Sequence, residues 1–261
     1  MKLIAWLAGV CIWMICGEVL ANPQAGEGMV RVEGGILVPF YPPSPKEKEI
    51  PVKSFWMDKT QVTNAQFLSF VKQNPSWRRD KIKKIFADAR YLSYWQTPSS
   101  LGNAKPDQPV TQISWFAAKA YCQAQDKRLP TENEWEYAAQ ASPRQANARK
   151  DMEWRTHVLD WYTRPAPKEL PEVGKSEPNY WGLYDLHGLV WEWVLDFNSS
   201  LISSDNRENA TSPDKNRFCG AGALVATEKD DYASFMRIAF RTSLKATYTT
   251  SNLGFRCAKD L

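Results

Sequence analysis

Three sequence patterns typical of helix N-termini lie between residues 63 and 134, and they limit the fold classes that this chain can adopt. Thr63 is followed by Gln66 and Thr131 by Glu134, the spacing of a capping box, in which each side chain bonds the other residue's backbone N–H. Ser114 is a further N-cap residue ahead of an apolar segment. We therefore predict three short helices, the second ending near residue 125 and the third near residue 139.

Short strands are predicted on either side of these helices. Residues 29–40 alternate in polarity around a double-glycine break, which indicates a hairpin or two short strands. Residues 52–58 predict another strand, and turn residues after Ala141 favour loops and short strands. Helices early in the chain and irregular β structure late are typical of one α+β domain, which we place at residues 29–261.

The N-terminus has the pattern of a secretory signal peptide. Lys2 provides the positive charge, an apolar run follows, and small residues at Val19 and Ala21 suit cleavage after Ala21. We predict removal of residues 1–21, a loose extension over residues 22–28, and an exported protein, periplasmic in a Gram-negative bacterium. The alternative is an uncleaved anchor, because the apolar run approaches the length that spans a bilayer. No second apolar run follows, so no membrane partner is expected after cleavage.

Cleavage would leave three cysteines, Cys122, Cys219 and Cys257, in an oxidising compartment. We expect two of them to form a disulfide and one to stay unpaired. The chain also carries 12 Trp, 10 Tyr and 11 Phe, enough for a large aromatic core. Its net charge of +4 is too small an excess to predict a nucleic-acid partner.

Four segments, in order, resemble the formylglycine-generating enzyme or sulfatase-modifying factor family. They are FWMDKTQVTNAQF at 55–67, the region from QPVTQISW to RLPTENEWEYAA at 108–139, YWGLYDLHGLVWEW at 180–193 and SNLGFRC at 251–257. This resemblance implies a C-type-lectin-like α+β fold with little regular secondary structure. Within the family, the chain is most similar to non-sulfatase branches, namely the accessory proteins encoded beside copper nitrite reductases and the pyoverdine-maturation member.

The resemblance also implies a particular disulfide. Cys122 and Cys257 match two positions that are bridged in family members, so a helix cysteine would be tied to the C-terminal strand. The alternative is a pair of free, buried cysteines.

A calcium site is a further implication of the resemblance. The family's Gly-Asn-x-Trp-Glu-Trp segment maps to the backbone carbonyls of His187, Gly188 and Val190 and to the carboxylate of Glu192, and oxygen ligands of this kind suit calcium. Leu189 stands where the family has Asn, which weakens the match. The alternatives are a solvated or salt-bridged Glu192 and a packed His187 in a turn.

The family's oxidative chemistry is not expected here. Family enzymes convert a substrate cysteine to formylglycine with a Cys-x4-Cys pair that binds copper, as thiolates suit Cu(I). The resemblance places those cysteines near residues 228 and 233, where this chain has Glu228 and Ala233, and residues 223–236 contain no cysteine. Copper at the usual family site and formylglycine-generating activity are therefore not expected, and an enzyme of another kind would be an oxidoreductase.

Other residues match the family's substrate pocket. Arg237, Arg241 and Asn252 occupy pocket-lining positions and are candidates for binding a substrate's backbone or carboxylate. Their alternative role is salt bridging within the fold. Cys219 is the unpaired thiol, and it is either a redox-active or metal-binding catalytic candidate or an inert buried cysteine.

Three functional hypotheses follow. The first is an accessory or maturation factor for another exported, possibly redox, protein or metabolite. The second is an oxidoreductase with altered metal or thiol chemistry in the family pocket. The third is a binding module for a small-molecule ligand or an exported protein, since scaffolds of this kind present variable loops.

Overall fold

The computed structural model describes residues 28–40, 48–165, 167–197 and 229–261. The predicted signal peptide, almost all of the predicted extension, Cys219 and Glu228 lie outside these ranges. No helix within the described ranges is long and apolar enough to cross a membrane.

The predicted α+β class is confirmed, with modest regular secondary structure. The strands are β1 (Met29–Val32), β2 (Gly35–Leu37), β3 (Ile50–Val52), β4 (Phe55–Asp58), β5 (Trp191–Glu192), β6 (Leu253–Gly254) and β7 (Ala258–Asp260). The helices are α1 (Asn64–Gln73), a 3-10 turn at Pro75–Trp77, α2 (Trp115–Ala124), α3 (Glu132–Ala139), α4 (Met152–Thr163) and α5 (Lys229–Ser243).

All three predicted helix starts are confirmed. The Thr63 hydroxyl accepts from the Gln66 N–H at 3.3 Å, and the Gln66 side chain accepts from the Thr63 N–H at 2.8 Å. Thr131 and Glu134 form the same reciprocal pair at the start of α3, and the Ser114 hydroxyl caps α2. These helices begin where predicted because an N-cap or capping-box hydrogen bond joins residues only three positions apart.

Of the two alternatives predicted for residues 29–40, two short strands form and a hairpin does not. β1 pairs antiparallel with β4, and β2 pairs antiparallel with β3. Strand β4 lies within the predicted strand at residues 52–58, whereas β3 shares only Val52 with it. A side chain at Gly34 would lie 2.6 Å from the Val52 carbonyl oxygen, and the Gly34 N–H donates to the Ser54 hydroxyl. The two chain segments therefore cross closely at this point, and both pass from one sheet to the other.

Loops and short strands make up most of the described residues after Ala141, as predicted, but helices α4 and α5 in that region were not predicted. Helix α4 buries only Val158 and so lacks a strong apolar face, although the Asp151 carboxylate caps it. Helix α5 buries Arg237 and Arg241, so its inward side is not the purely apolar one that sequence patterns are expected to show.

The core is aromatic, and the disulfide is part of it. Phe67 packs against Tyr121 and Phe255 with ring centroids 5.7 and 6.1 Å apart. Beside them, Cys122 and Cys257 are bridged with an S–S distance of 2.05 Å and a sequence separation of 135 residues. The predicted disulfide is thus confirmed, and it ties α2 to the segment that leads into β7.

Candidate functional site

Helices α3 and α5 are joined by a buried ion network. The Glu136 carboxylate lies between two guanidinium groups, 2.7 Å from Arg237 Nη2 and 2.6 Å from Arg241 Nη1. The two arginines are only 6% and 4% exposed. We call Glu136, Arg237 and Arg241, with Trp135 and Tyr162 around them, the arginine cluster.

The two guanidinium groups set the protonation state of this cluster. Burial alone would raise the pKa of Glu136, but Arg237 and Arg241 outweigh it and lower the pKa to about 2. Glu132, 3.3 Å from Arg241, has a raised pKa, chiefly because it is buried. Glu136 is therefore ionised at any physiological pH and locks α5 against α3.

Aromatic rings enclose the guanidinium groups. The Trp135 ring centre lies 4.7 Å from Arg241 Cζ and 5.6 Å from Arg237 Cζ, within cation–π range. The Tyr162 hydroxyl accepts from Arg237 Nη1 at 3.2 Å. Burial raises the pKa of Tyr162, so the phenol stays neutral.

His187 lies beside the arginine cluster. It is packed in a turn, which was the alternative to a role as a calcium ligand. One ring nitrogen, Nε2, lies 2.8 Å from the Ala139 carbonyl oxygen and donates to it in the neutral ring. The other, Nδ1, is buried and has no hydrogen-bond partner among the described residues. Burial, reinforced by the nearby charge of Arg237, lowers the pKa of His187 to about 4, so the ring is neutral at pH 7.

Glu192 forms a buried ion pair. Its Oε1 accepts from Arg256 and Gln61 at 2.8 and 2.7 Å, and its Oε2 accepts from Arg256 and Trp135 at 2.8 and 2.9 Å. Four donors, two of them from a guanidinium, fit a structural salt bridge and do not fit a calcium ligand. Within the described ranges no group of three or more His, Cys, Asp and Glu side chains could hold a metal ion. Calcium at His187, Gly188 and Val190 stays a prediction.

Asn252 is connected to helix α5 through its backbone and the Trp191 ring. Its carbonyl oxygen accepts from the Trp191 N–H at 2.8 Å. The Trp191 ring stacks on Phe240 of α5 with centroids 4.3 Å apart. Arg237 and Arg241 take their alternative role as internal salt bridges. Substrate binding by these arginines and Asn252 stays a prediction.

Sequence reasoning missed Glu136 and Tyr162. A signal for Glu136 was present, because Glu132 and Glu136 are four residues apart, as are Arg237 and Arg241. Such pairs lie on one face of a helix, so two acidic and two basic residues at this spacing can match across a helix interface. The contact itself joins residues a hundred positions apart, and no local pattern specifies it.

A partly exposed aromatic face lies next to the cluster. Trp191 stacks on Phe240, and Trp154, two turns before Trp161 on α4, contacts His187 with ring centroids 6.1 Å apart. Trp154, Trp161, Trp191 and Phe240 are each partly buried. Trp161 contacts Trp191 edge to face at 6.0 Å. We call these four residues the aromatic face.

Comparisons of the sequence and of the structure with known proteins point to the same family. The sequence model of the family described as the sulfatase-modifying factor enzyme 1-like domain matches residues 17–261. The formylglycine-generating enzyme of Streptomyces coelicolor is 30% identical over 92% of this chain and 91% of its own length. The inactive C-alpha-formylglycine-generating enzyme 2 of Bos taurus is 26% identical over 81% of this chain and 79% of its own. The structure of PvdO from Pseudomonas aeruginosa aligns with a TM-score of 0.50 at 18% identity, over 89% of this chain and 94% of that one, a likeness of fold alone.

Proposed function

Since the chain belongs to the sulfatase-modifying factor enzyme 1-like family, we propose that it is a member that does not make formylglycine. In this proposal it is an exported accessory factor that helps to mature another exported protein or metabolite. Family membership alone does not fix this role, because one fold can carry several activities.

The observation that carries the proposal is the surroundings of Ala233, the position matched to the second copper cysteine. Ala233 is buried on α5, with 5% of its surface exposed. One and two turns further along, Arg237 and Arg241 are held by Glu136. A Cu(I) centre of the family type needs two cysteine thiolates, and residues 223–236 contain no cysteine. This arrangement supports the proposal that the region is a rigid scaffold for binding and does not oxidise a thiol.

The aromatic face supports a role in binding a client. Trp154 and Trp161 are partly exposed, although tryptophan side chains contribute most when they are buried. Tryptophan is also enriched among the residues that dominate the energy of protein interfaces. The arginine cluster beneath holds α5 in place, so the face is preorganised. Cys219, on which the oxidoreductase hypothesis depends, lies outside the described residues.

A deletion and complementation experiment tests this function. In cells that lack the gene, we expect an exported client to accumulate in an immature form, detected by intact-protein mass spectrometry or metabolite analysis of the exported fraction. The native chain should restore maturation, and a Trp154→Ala/Trp161→Ala variant exported at the same level should not. Tyr180→Ala, which removes an aromatic side chain that is 55% exposed elsewhere, is the matched control and should restore it. An exported fraction unchanged by the deletion would contradict the accessory role.

A further inference from the structure

The positive charge of the chain is concentrated in one loop. Residues 78–90 carry six basic and two acidic side chains, a net charge of +4, equal to that of the whole sequence. We call these residues the basic loop. Its six basic residues are Arg78, Arg79, Lys81, Lys83, Lys84 and Arg90.

Two of these six residues serve the fold. Arg78 pairs with Asp80 at 3.0 Å. Arg79 donates to the carbonyl oxygens of Leu92 and Trp95 at 2.8 and 2.9 Å. The other acidic residue of the loop, Asp88, accepts from the backbone and hydroxyl of Thr249. Both acidic side chains of the loop thus already have partners, Arg78 for Asp80 and Thr249 for Asp88.

The lysines are different, because they are exposed and have no partner. Lys81, Lys83 and Lys84 point to solvent, and none forms an ion pair with any residue in the described part of the chain. Three lysines within four positions therefore present unneutralised positive charge on one small surface.

An apolar side chain stands at the tip of the same loop. The Phe86 N–H donates to the Lys83 carbonyl oxygen at 2.9 Å, which closes a turn with Lys84 and Ile85 at its corner. Ile85 is 69% exposed, more than any other large hydrophobic side chain of the described residues.

The tip is held rigidly by its neighbours. The Phe86 ring packs against Trp77 and Phe116, with centroids 5.8 and 5.3 Å away. Beyond it, the Asp88 N–H donates to the Thr247 carbonyl oxygen at 2.9 Å. Because Phe86 fills the inward position, Ile85 is fixed pointing outward.

We propose that the basic loop binds the surface of a membrane rich in anionic phospholipids. Lys81, Lys83 and Lys84 would contact the headgroup phosphates, and Ile85 would insert at the boundary with the acyl chains. Lysines around an exposed apolar side chain are typical of segments that lie on a membrane surface. Protein interfaces, in contrast, are depleted of lysine and enriched in aromatic residues and arginine, so an acidic protein is the less suitable partner.

This surface is separate from the proposed accessory role, and it revises the expectation of no membrane partner after export. Each lysine near an anionic surface strengthens binding about fivefold, so three contribute roughly 100-fold. The attraction is screened over about 10 Å at 0.1 M salt, so binding should weaken as salt is raised.

Vesicle co-sedimentation of the processed, exported protein tests the proposal. We expect binding to vesicles of phosphatidylglycerol and phosphatidylcholine, and little to phosphatidylcholine alone. Lys81→Gln/Lys83→Gln/Lys84→Gln should lower the affinity roughly 100-fold, and Ile85→Ser should lower it about tenfold.

Matched controls remove the same groups elsewhere on the surface. Lys53→Gln/Lys150→Gln/Lys168→Gln removes three exposed lysines, and Ile36→Ser removes an isoleucine that is 50% exposed. Both should bind as the native protein does. Equal weakening by control and loop variants, or equal binding to neutral vesicles, would overturn the proposal. Loop-dependent binding to polyglutamate without binding to vesicles would assign the loop to an acidic protein and would also overturn it.

Discussion

Glu192→Gln is expected to lower the free energy of unfolding by about 3–5 kcal/mol. Both side chains of the Glu192–Arg256 pair have 0% exposure. The remaining guanidinium N–H groups donate to the carbonyl oxygens of Asp58, Lys59 and Tyr184, which fixes Arg256 in place. Without the carboxylate, the cation would stay buried and uncompensated.

Urea unfolding followed by tryptophan fluorescence measures this loss. The matched control is Glu169→Gln, which removes the carboxylate of an exposed ion pair with Lys105. That change should leave the unfolding curve nearly unchanged, because solvent screens an exposed ion pair. Replacing both members of the buried pair, as Glu192→Gln/Arg256→Met, should recover part of the loss, because no buried charge is left without a partner. A loss of less than about 1 kcal/mol in Glu192→Gln would contradict the structural role of this pair.

The second large effect is expected from the disulfide. Cys122→Ser/Cys257→Ser should lower the free energy of unfolding by about 2–5 kcal/mol, since the bridge closes a loop across 135 positions and restricts the unfolded chain. Both cysteines have 0% exposure, so the new hydroxyls would also be buried.

Unfolding with and without a reducing agent measures the same effect in the native chain. The Cys219→Ser variant keeps the bridge and should respond to reduction as the native chain does. The double variant should not respond. An unfolding midpoint unchanged by reduction and by the double substitution would show that the bridge does not support the folded state.

Local features of the fold could be predicted, and contacts between distant segments could not. The capping boxes at Thr63 and Thr131 use residues three positions apart, so the sequence specifies both helix starts. The pairing of β1 with β4 depends on a crossing at Gly34, which no local pattern indicates. Helix α5 escaped prediction because its inward side carries Arg237, a residue type that is rarely buried without a partner.

The same distinction applies to the candidate site. Resemblance assigned Arg237, Arg241 and Asn252 to a substrate pocket; in the structure the two arginines bind Glu136, and Asn252 contacts Trp191 through its backbone. Nothing near Glu192 in sequence indicated that Arg256, 64 positions away, would occupy its carboxylate. A residue that matches a family ligand position binds a ligand or another part of the protein depending on such distant partners. Only the folded structure shows which partners lie beside it.

The central claim is that this member of the family lacks copper–thiol chemistry, and a competition titration for Cu(I) tests it most directly. The native chain and a Glu228→Cys/Ala233→Cys variant would each compete with a colorimetric Cu(I) chelator. Each would then be incubated with copper, oxygen and a cysteine peptide whose mass is followed. We expect the native chain to leave the chelator's copper in place and the peptide cysteine unchanged, and the variant to withdraw Cu(I). Withdrawal of Cu(I) by the native chain, together with conversion of the peptide cysteine to an aldehyde, would contradict the claim.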